Sequence, residues 1–244
     1  MTRILVISDV HANLTALETV LEDAGAVDET WCLGDVVGYG PDPNECIDII
    51  RNLPKLTCLM GNHDQAAIGE MNLQIFNSEA RRSLKWQKDT LTEESMLFLK
   101  ELPKEMQVHG QVSLVHGSPR DPTWEYVLST IIAFNNLPYF QTAYCFVGHS
   151  HFQTIFQYHS KQEEISSEAP KPGEVYTMID RAFLNPGSVG QPRDRDIRAA
   201  YAIYDPEANS WQPKRISYNY SEVQERILKA GLPPRHAERL GGGW

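Results

Sequence analysis

Five times in the first 151 residues of this chain, a short β-rich apolar run breaks off at a cluster of polar residues. Ile4-Leu5-Val6-Ile7 gives way to Ser8-Asp9-Val10-His11-Ala12-Asn13, Trp31-Cys32-Leu33 to Gly34-Asp35, and Leu56-Thr57-Cys58-Leu59-Met60 to Gly61-Asn62-His63-Asp64. Val112-Ser113-Leu114-Val115 ends at His116-Gly117-Ser118-Pro119, and Tyr144-Cys145-Phe146-Val147 at Gly148-His149-Ser150-His151. After the first run, Leu14, Leu17, Val20 and Leu21 recur at helical spacing until Gly25 stops the segment. Apolar runs interleaved with helical periodicity favour an α/β fold.

Between the third and fourth runs the chain makes a longer excursion, residues 65–103, with helices expected at Ser78–Leu91 and Thr92–Leu102. Thr92 followed by Glu93 and Glu94 reads as a helix start, and Pro103 as a stop. This excursion is either a lid over the site or a helical pair that merely packs on the sheet. After His151, strand patterns at Gln153–Tyr158, Glu174–Ile179, Ala199–Tyr204 and Trp211–Tyr218 suit a mainly antiparallel second sheet. Ser160–Gly173 reads as an exposed loop, Ser221–Ala230 as a final helix, and Leu240–Trp244 as a loose tail. No linker or repeat interrupts the chain, so residues 1–244 are read as one domain.

In open α/β sheets the loops beyond the carboxyl ends of the strands face one crevice. Asp9 and His11, Asp35, Asn62 and His63, His116, and His149 and His151 are therefore expected in a single cluster. Each block alone has an ordinary explanation, such as a helix cap, a turn dipeptide or a pair of surface histidines. Their concentration does not: five of the eight histidines stand at these strand ends. Carboxylate, imidazole and amide oxygen together suit manganese, iron, zinc, cobalt or nickel, whereas an all-oxygen magnesium site has no need of histidine.

Composition narrows the partners. A balance of 22 basic against 32 acidic residues, −10 overall, argues against stable binding of nucleic acid through phosphate contacts. Cys32, Cys46, Cys58 and Cys145 are widely spaced with no C-x-x-C pair, so neither a disulfide framework nor a zinc ribbon is expected. The first apolar run is too short for a signal peptide and no run reaches membrane-spanning length, which makes a cytoplasmic protein the expectation.

The ordered blocks Asp9-x-His11, Gly34-Asp35, Gly61-Asn62-His63-Asp64, His116-Gly117 and Gly148-His149-Ser150-His151 resemble those of the calcineurin-like metallophosphoesterase superfamily. The resemblance runs from residue 4 to about residue 193. Gly34 to Pro41 and Asn185-Pro186-Gly187-Ser188-Val189-Gly190 are similar to its bacterial and archaeal predicted phosphodiesterases and phosphatases. Ser150 departs from the threonine many members carry.

The resemblance implies a four-layer α/β/β/α sandwich of two mixed sheets flanked by helices. It implies two divalent ions, manganese first, with Asp9, His11 and His151 on one, Asn62, His116 and His149 on the other, and Asp35 between. A hydroxide shared by the ions would attack a phosphomonoester or phosphodiester. His63 would assist the leaving alkoxide, with Asp64 either orienting its ring or accepting main-chain N–H bonds. Arg193 and Arg120 are candidate phosphate clamps, each with the alternative of pairing to a nearby carboxylate. A protein-binding scaffold and a nuclease are the rival functions within the same superfamily.

Overall fold

Each of the five apolar runs forms a strand where the sequence places it. The structure is a computed structural model that describes residues 2–178 and 180–244. In chain order the strands and helices are β1 (Ile4–Ile7), α1 (Leu14–Ala24), β2 (Glu29–Cys32), α2 (Pro43–Ile50), β3 (Leu56–Cys58), α3 (Asn62–Ala67), α4 (Ser78–Thr90) and α5 (Glu93–Glu101). They continue with β4 (Glu105–Val108), β5 (Val112–Val115), α6 (Thr130–Asn136), β6 (Tyr144–Phe146), β7 (Gln153–His159) and β8 (Glu164–Glu168). The chain ends with β9 (Tyr176–Thr177), β10 (Ala182–Pro186), β11 (Ala199–Asp205), β12 (Ser210–Ile216), α7 (Tyr220–Lys229) and α8 (Pro234–Gly242).

Two six-stranded sheets result, in the orders β3-β2-β1-β11-β12-β9 and β4-β5-β6-β10-β7-β8. Both are mixed: β1 runs parallel to β2 and antiparallel to β11, while β10 runs parallel to β6 and antiparallel to β7. Side chains alternate across each strand, and here both faces are buried. Ile4 and Val6 point into the core between the sheets with Trp31, Phe146, Leu184 and Trp211. Leu5 and Ile7 point the other way, onto Leu17, Val20 and Ile47 of α1 and α2. On the far side, Cys145, Val147 and Phe183 meet Ala133 of α6. These contacts define the α/β/β/α sandwich and explain why the runs are continuously apolar. The four cysteines are free and buried. Among the described residues, no helix is long and apolar enough to cross a membrane.

The excursion helices end within a residue or two of expectation, and their starts have a local cause. Asn77 Oδ1 accepts from the main-chain N–H groups of Glu79 and Ala80, and Thr92 Oγ1 from that of Ser95. Ala80, Leu84, Leu91 and Leu99 then anchor the pair in the same core cluster as α1 and α2.

Three expectations for the second half are corrected. The strands after His151 do not form one sheet of their own: β7 joins β10 and β6, while β9, β11 and β12 extend the first sheet from β1. Period-two patterning reports a strand but not its neighbour, which long-range pairing decides. Within Ser160–Gly173 lies β8, an edge strand paired to β7 alone. Only Ile165 of its five residues is partly covered, so no alternation marks it. The strand expected at Glu174–Ile179 contracts to Tyr176–Thr177, and Ile179 lies outside the described residues.

The tail is also not loose. Pro234 opens α8 at a position where a missing N–H costs nothing, and Gly243 closes it with a left-handed φ of 62°. His236, Ala237 and Leu240 are buried, the last two against Val223 and Ile227 of α7. A nine-residue helix bounded by proline and three glycines carries too narrow an apolar stripe to read from sequence. Leu240→Ala is expected to cost about 2–5 kcal/mol in a denaturant titration. A loss below about 0.5 kcal/mol, typical of an exposed site, would mean that α8 is not docked.

Candidate metal centre

The residues that end β1, β2, β3, β5 and β6 meet at one edge of the two sheets, and an unusual backbone turns them inward. Asp9, His11, Asp35, His149 and His151 have φ of 53°, 50°, 54°, 62° and 63°. The left-handed region costs an L-residue about 1–2 kcal/mol, so five such positions at one place are held by their surroundings. Glycines make room. A Cβ on Gly61 would lie 2.1 Å from Asp35 Oδ1, and one on Gly38, whose φ is +102°, would lie 2.4 Å from His63 Nδ1.

Four imidazoles share one hydrogen-bonding pattern. His11 Nδ1 lies 3.0 Å from the Val37 carbonyl, His116 Nδ1 2.9 Å from Leu33, and His149 Nε2 3.2 Å from Trp124; His151 Nδ1 bonds the Gln191 carbonyl. A carbonyl only accepts, so each of these nitrogens carries a proton, and in the neutral ring the other is a lone pair. Those second nitrogens face one another: His11 Nε2 is 3.1 Å from His151 Nε2, and His116 Nε2 is 3.2 Å from His149 Nδ1. Lone pairs turned together in a buried site need a cation or a proton between them.

Two donor groups result, Asp9 with His11 and His151, and Asp35 with His116 and His149; within each, the donor atoms lie within 4.8 Å of one another. Asp9 Oδ1 is buried without a hydrogen-bond donor, 3.2 Å from His151 Nε2. Asn62 Oδ1 is 3.1 Å from His116 Nε2 and so joins the second group. Asp35 stands between the groups: its Oδ2 is 3.7 Å from His11 Nε2 and 3.4 Å from His116 Nε2. The other oxygen accepts the His63 main-chain N–H at 2.8 Å. An amide oxygen, two carboxylates and four lone-pair nitrogens fit divalent cations of the borderline type.

Burial controls the protonation of the cluster. It drives the pKa of His11 and His151 well below the usual histidine value and that of His149 down to about 3, leaving these rings neutral. For His116 burial acts in the same sense, but the charge and hydrogen bond of Asp35 outweigh it and hold the ring at about 9. Burial would raise Asp35, yet the charges of His116 and His63 keep it well below the carboxylate range.

His63 differs from the other four. Among the described residues, its buried Nδ1 has no partner and no main-chain carbonyl holds its ring. Instead it is wedged between Tyr39, at 4.5 Å between ring centroids, and Phe76, at 5.2 Å. Burial, with Arg193 nearby, lowers its pKa to about 4. Among the described residues, no hydrogen bond joins Asp64 to that ring. The Asp64 oxygens accept from the main-chain N–H groups of Val37, at 3.0 Å, and Gly61, at 2.9 Å, so the carboxylate fixes the loops that carry Asp35 and Asn62. Burial beside Asp35 raises the Asp64 pKa to about 7 despite those two donors.

A cavity of about 190 Å³ opens onto the cluster, with Asp35, Asn62, His63, His149 and His151 at its floor. Its walls are Tyr39, Phe76, Trp124 and Tyr126, together with Arg193 and Arg239. Arg193 bonds the Tyr39 hydroxyl at 3.2 Å and Gln191 Oε1 at 3.1 Å. Its neighbour Asp194 is engaged by Arg215 instead. Sequence reasoning missed the aromatic walls and Arg239. Only Tyr39 carried a local signal, its place in Gly38-Tyr39-Gly40-Pro41 directly after a motif block.

Residues 2–209 match the model of the calcineurin-like phosphoesterase superfamily domain. The chain is 37% identical to the Methanocaldococcus jannaschii protein MJ0912, an uncharacterized protein, over 97% of this chain and 96% of that one. Among solved structures it resembles a metallophosphoesterase from Sphaerobacter thermophilus, with a TM-score of 0.91, 43% identity, and 100% and 99% of the two chains covered. The hypothetical protein PH1004 from Pyrococcus horikoshii OT3 shares the fold, with a TM-score of 0.81 at 21% identity, over 100% and 99% of the chains. The chain belongs to the calcineurin-like phosphoesterase superfamily.

Arg120 stands apart from Arg193. Its guanidinium forks onto Glu125, which also accepts from Ser118 at 2.6 Å and Asn136 at 2.8 Å. This knot fixes the loop whose Tyr126 stacks on His149, ring centroids 4.0 Å apart and planes at 10°. The Arg120 hydrogen bond, against a smaller opposing effect of burial, lowers the Glu125 pKa to about 2. A depressed carboxylate stabilises the fold above its unfolded pKa and loses that contribution as pH falls through its folded pKa. The melting temperature of the wild type should therefore exceed that of Glu125→Gln near neutral pH, with the gap closing as pH falls from about 5 to about 2. A gap independent of pH would refute the assignment.

Proposed function

We propose that this protein hydrolyses a small phosphomonoester or phosphodiester at a centre of two divalent cations. Asp9, His11 and His151 would hold one cation, Asn62, His116 and His149 the other, with Asp35 shared. The reading rests on the four carbonyl-anchored imidazoles whose free nitrogens face one another beside the unpaired Asp9 Oδ1. When bound, such cations supply a water acidic enough to act as nucleophile near neutral pH and balance charge on phosphoryl oxygens. Manganese is the first ion to test, followed by iron, zinc, nickel and cobalt.

The chain's own residues supply the rest. His63 faces the cavity from the first turn of α3, fixed by ring packing, and would donate an N–H to the leaving oxygen. With its pKa near 4 the free ring is neutral; an anionic substrate raises that value and favours the protonated form. Arg193 would fork onto a phosphoryl oxygen pair, a role supported by its freedom from any Asp or Glu partner among the described residues. Phe76, Asn77 and Ala80 line the cavity while the rest of the 65–103 excursion is anchored in the core, which favours a fixed wall over a moving lid.

Metal-reconstituted protein is expected to turn over p-nitrophenyl phosphate. His63→Ala should lower kcat by about 10²–10⁴ with bound metal, measured by elemental analysis, unchanged. Absence of wild-type turnover with every one of these ions would overturn the proposal, and an unchanged kcat would remove His63 from the chemistry.

A further inference from the structure

Arg239 lies 46 residues beyond the last residue proposed for the site, Arg193, on the helix that closes the chain, yet its side chain reaches the cavity wall. Its Nε donates to the Trp244 main-chain oxygen at 2.7 Å. That bond fixes the guanidinium and leaves both terminal amino groups without a protein acceptor among the described residues. The guanidinium carbon sits 6.0 Å from the Tyr39 ring centroid, and that of Arg193 sits 5.8 Å from the same centroid.

Two guanidinium groups thus share one wall, and among the described residues neither is paired with an Asp or Glu side chain. The Arg193 charge, after burial, lowers the Arg239 pKa. Other arginines nearby are paired, Arg215 with Asp194, Arg198 with Asp196 and Arg226 with Asp42. A chain with ten more acidic than basic residues has carboxylates to spare, so an unpaired couple facing a cavity marks a place for an anion from outside. The two do not have the same task. Arg193 is tied to Gln191, whose carbonyl holds His151 at the cluster, whereas Arg239 is tied to Trp244 beyond the end of α8.

We propose that Arg239 is a specificity-determining residue, which recognises a second anionic group on a phosphoester whose first phosphoryl group lies at the cluster beside Arg193. The substrate class is then a small ester carrying a further phosphate or carboxylate, flanked by the aromatic walls Tyr39, Phe76 and Trp124. This assignment rests on the phosphoesterase reading, but its test does not need turnover.

Alkane bisphosphonates of increasing chain length, their phosphonocarboxylate analogues and the matching alkyl monophosphonates have no ester to hydrolyse. Titrated by calorimetry into manganese-loaded protein, one spacer length should bind about tenfold more tightly than its monophosphonate. Arg239→Gln should reduce that gap to less than about twofold, while Arg235→Gln, one turn earlier on the same helix, paired with Glu79 and outside the cavity lining, should leave it in place. Tight binding of the phosphonocarboxylates as well would widen the class to carboxylates; a gain confined to bisphosphonates would restrict it to phosphates. A wild type without the gap, or a gap that survives Arg239→Gln, would overturn the assignment, whether or not the protein hydrolyses aryl phosphates.

Discussion

The structure turns on keeping four carbonyl-anchored imidazoles and two carboxylates buried with their ligand atoms converging. Such a cluster is expensive to assemble, because desolvation penalises every charge and the free nitrogens have no donor to satisfy them. The surrounding chain meets this cost through geometry that has little other use. Main-chain carbonyls of Leu33, Val37, Trp124 and Gln191 each fix one tautomer. Left-handed turns at Asp9, Asp35 and His149 aim the side chains, and Gly38 and Gly61 let the loops close on them. Those carbonyls belong to loops at the ends of both sheets, so the centre exists only while the two sheets keep their mutual register.

This explains which parts of the molecule were legible in sequence. Strands buried on both faces are continuously apolar, and their ends are conspicuous when they stop at Asp, Asn or His; β1, β2, β3, β5 and β6 were visible for that reason. The residues the sequence brought forward at those ends do meet in space. Edge strand β8 has neither buried face to pattern it, and the sheet to which β9, β11 and β12 belong depends on partners far away in the chain. The aromatic cavity walls were hidden for a similar reason, since Trp124 and Tyr126 come from an irregular loop fixed by Arg120 and Glu125, and nothing local distinguishes them from ordinary surface aromatics.

The centre and the cavity walls are separable parts. The centre is built from strand ends in the first 151 residues, where its chemistry is set by residue type and spacing. The walls come from the loop that carries Tyr39, the turn into α4, the loop before α6, the Gly190–Arg193 turn and α8. Asp64 and Glu125 belong to neither part. Each stabilises a loop that positions residues of the other two, through main-chain N–H groups in one case and a guanidinium fork in the other.

The central claim is that the cluster is a two-cation centre rather than a buried hydrogen-bond network. Anomalous diffraction from crystals grown with manganese tests it most directly. The account predicts two peaks, one among Asp9, His11 and His151 and one among Asn62, His116 and His149, with Asp35 touching both. An ordered cluster without a peak, or manganese found only at surface carboxylates, would contradict it.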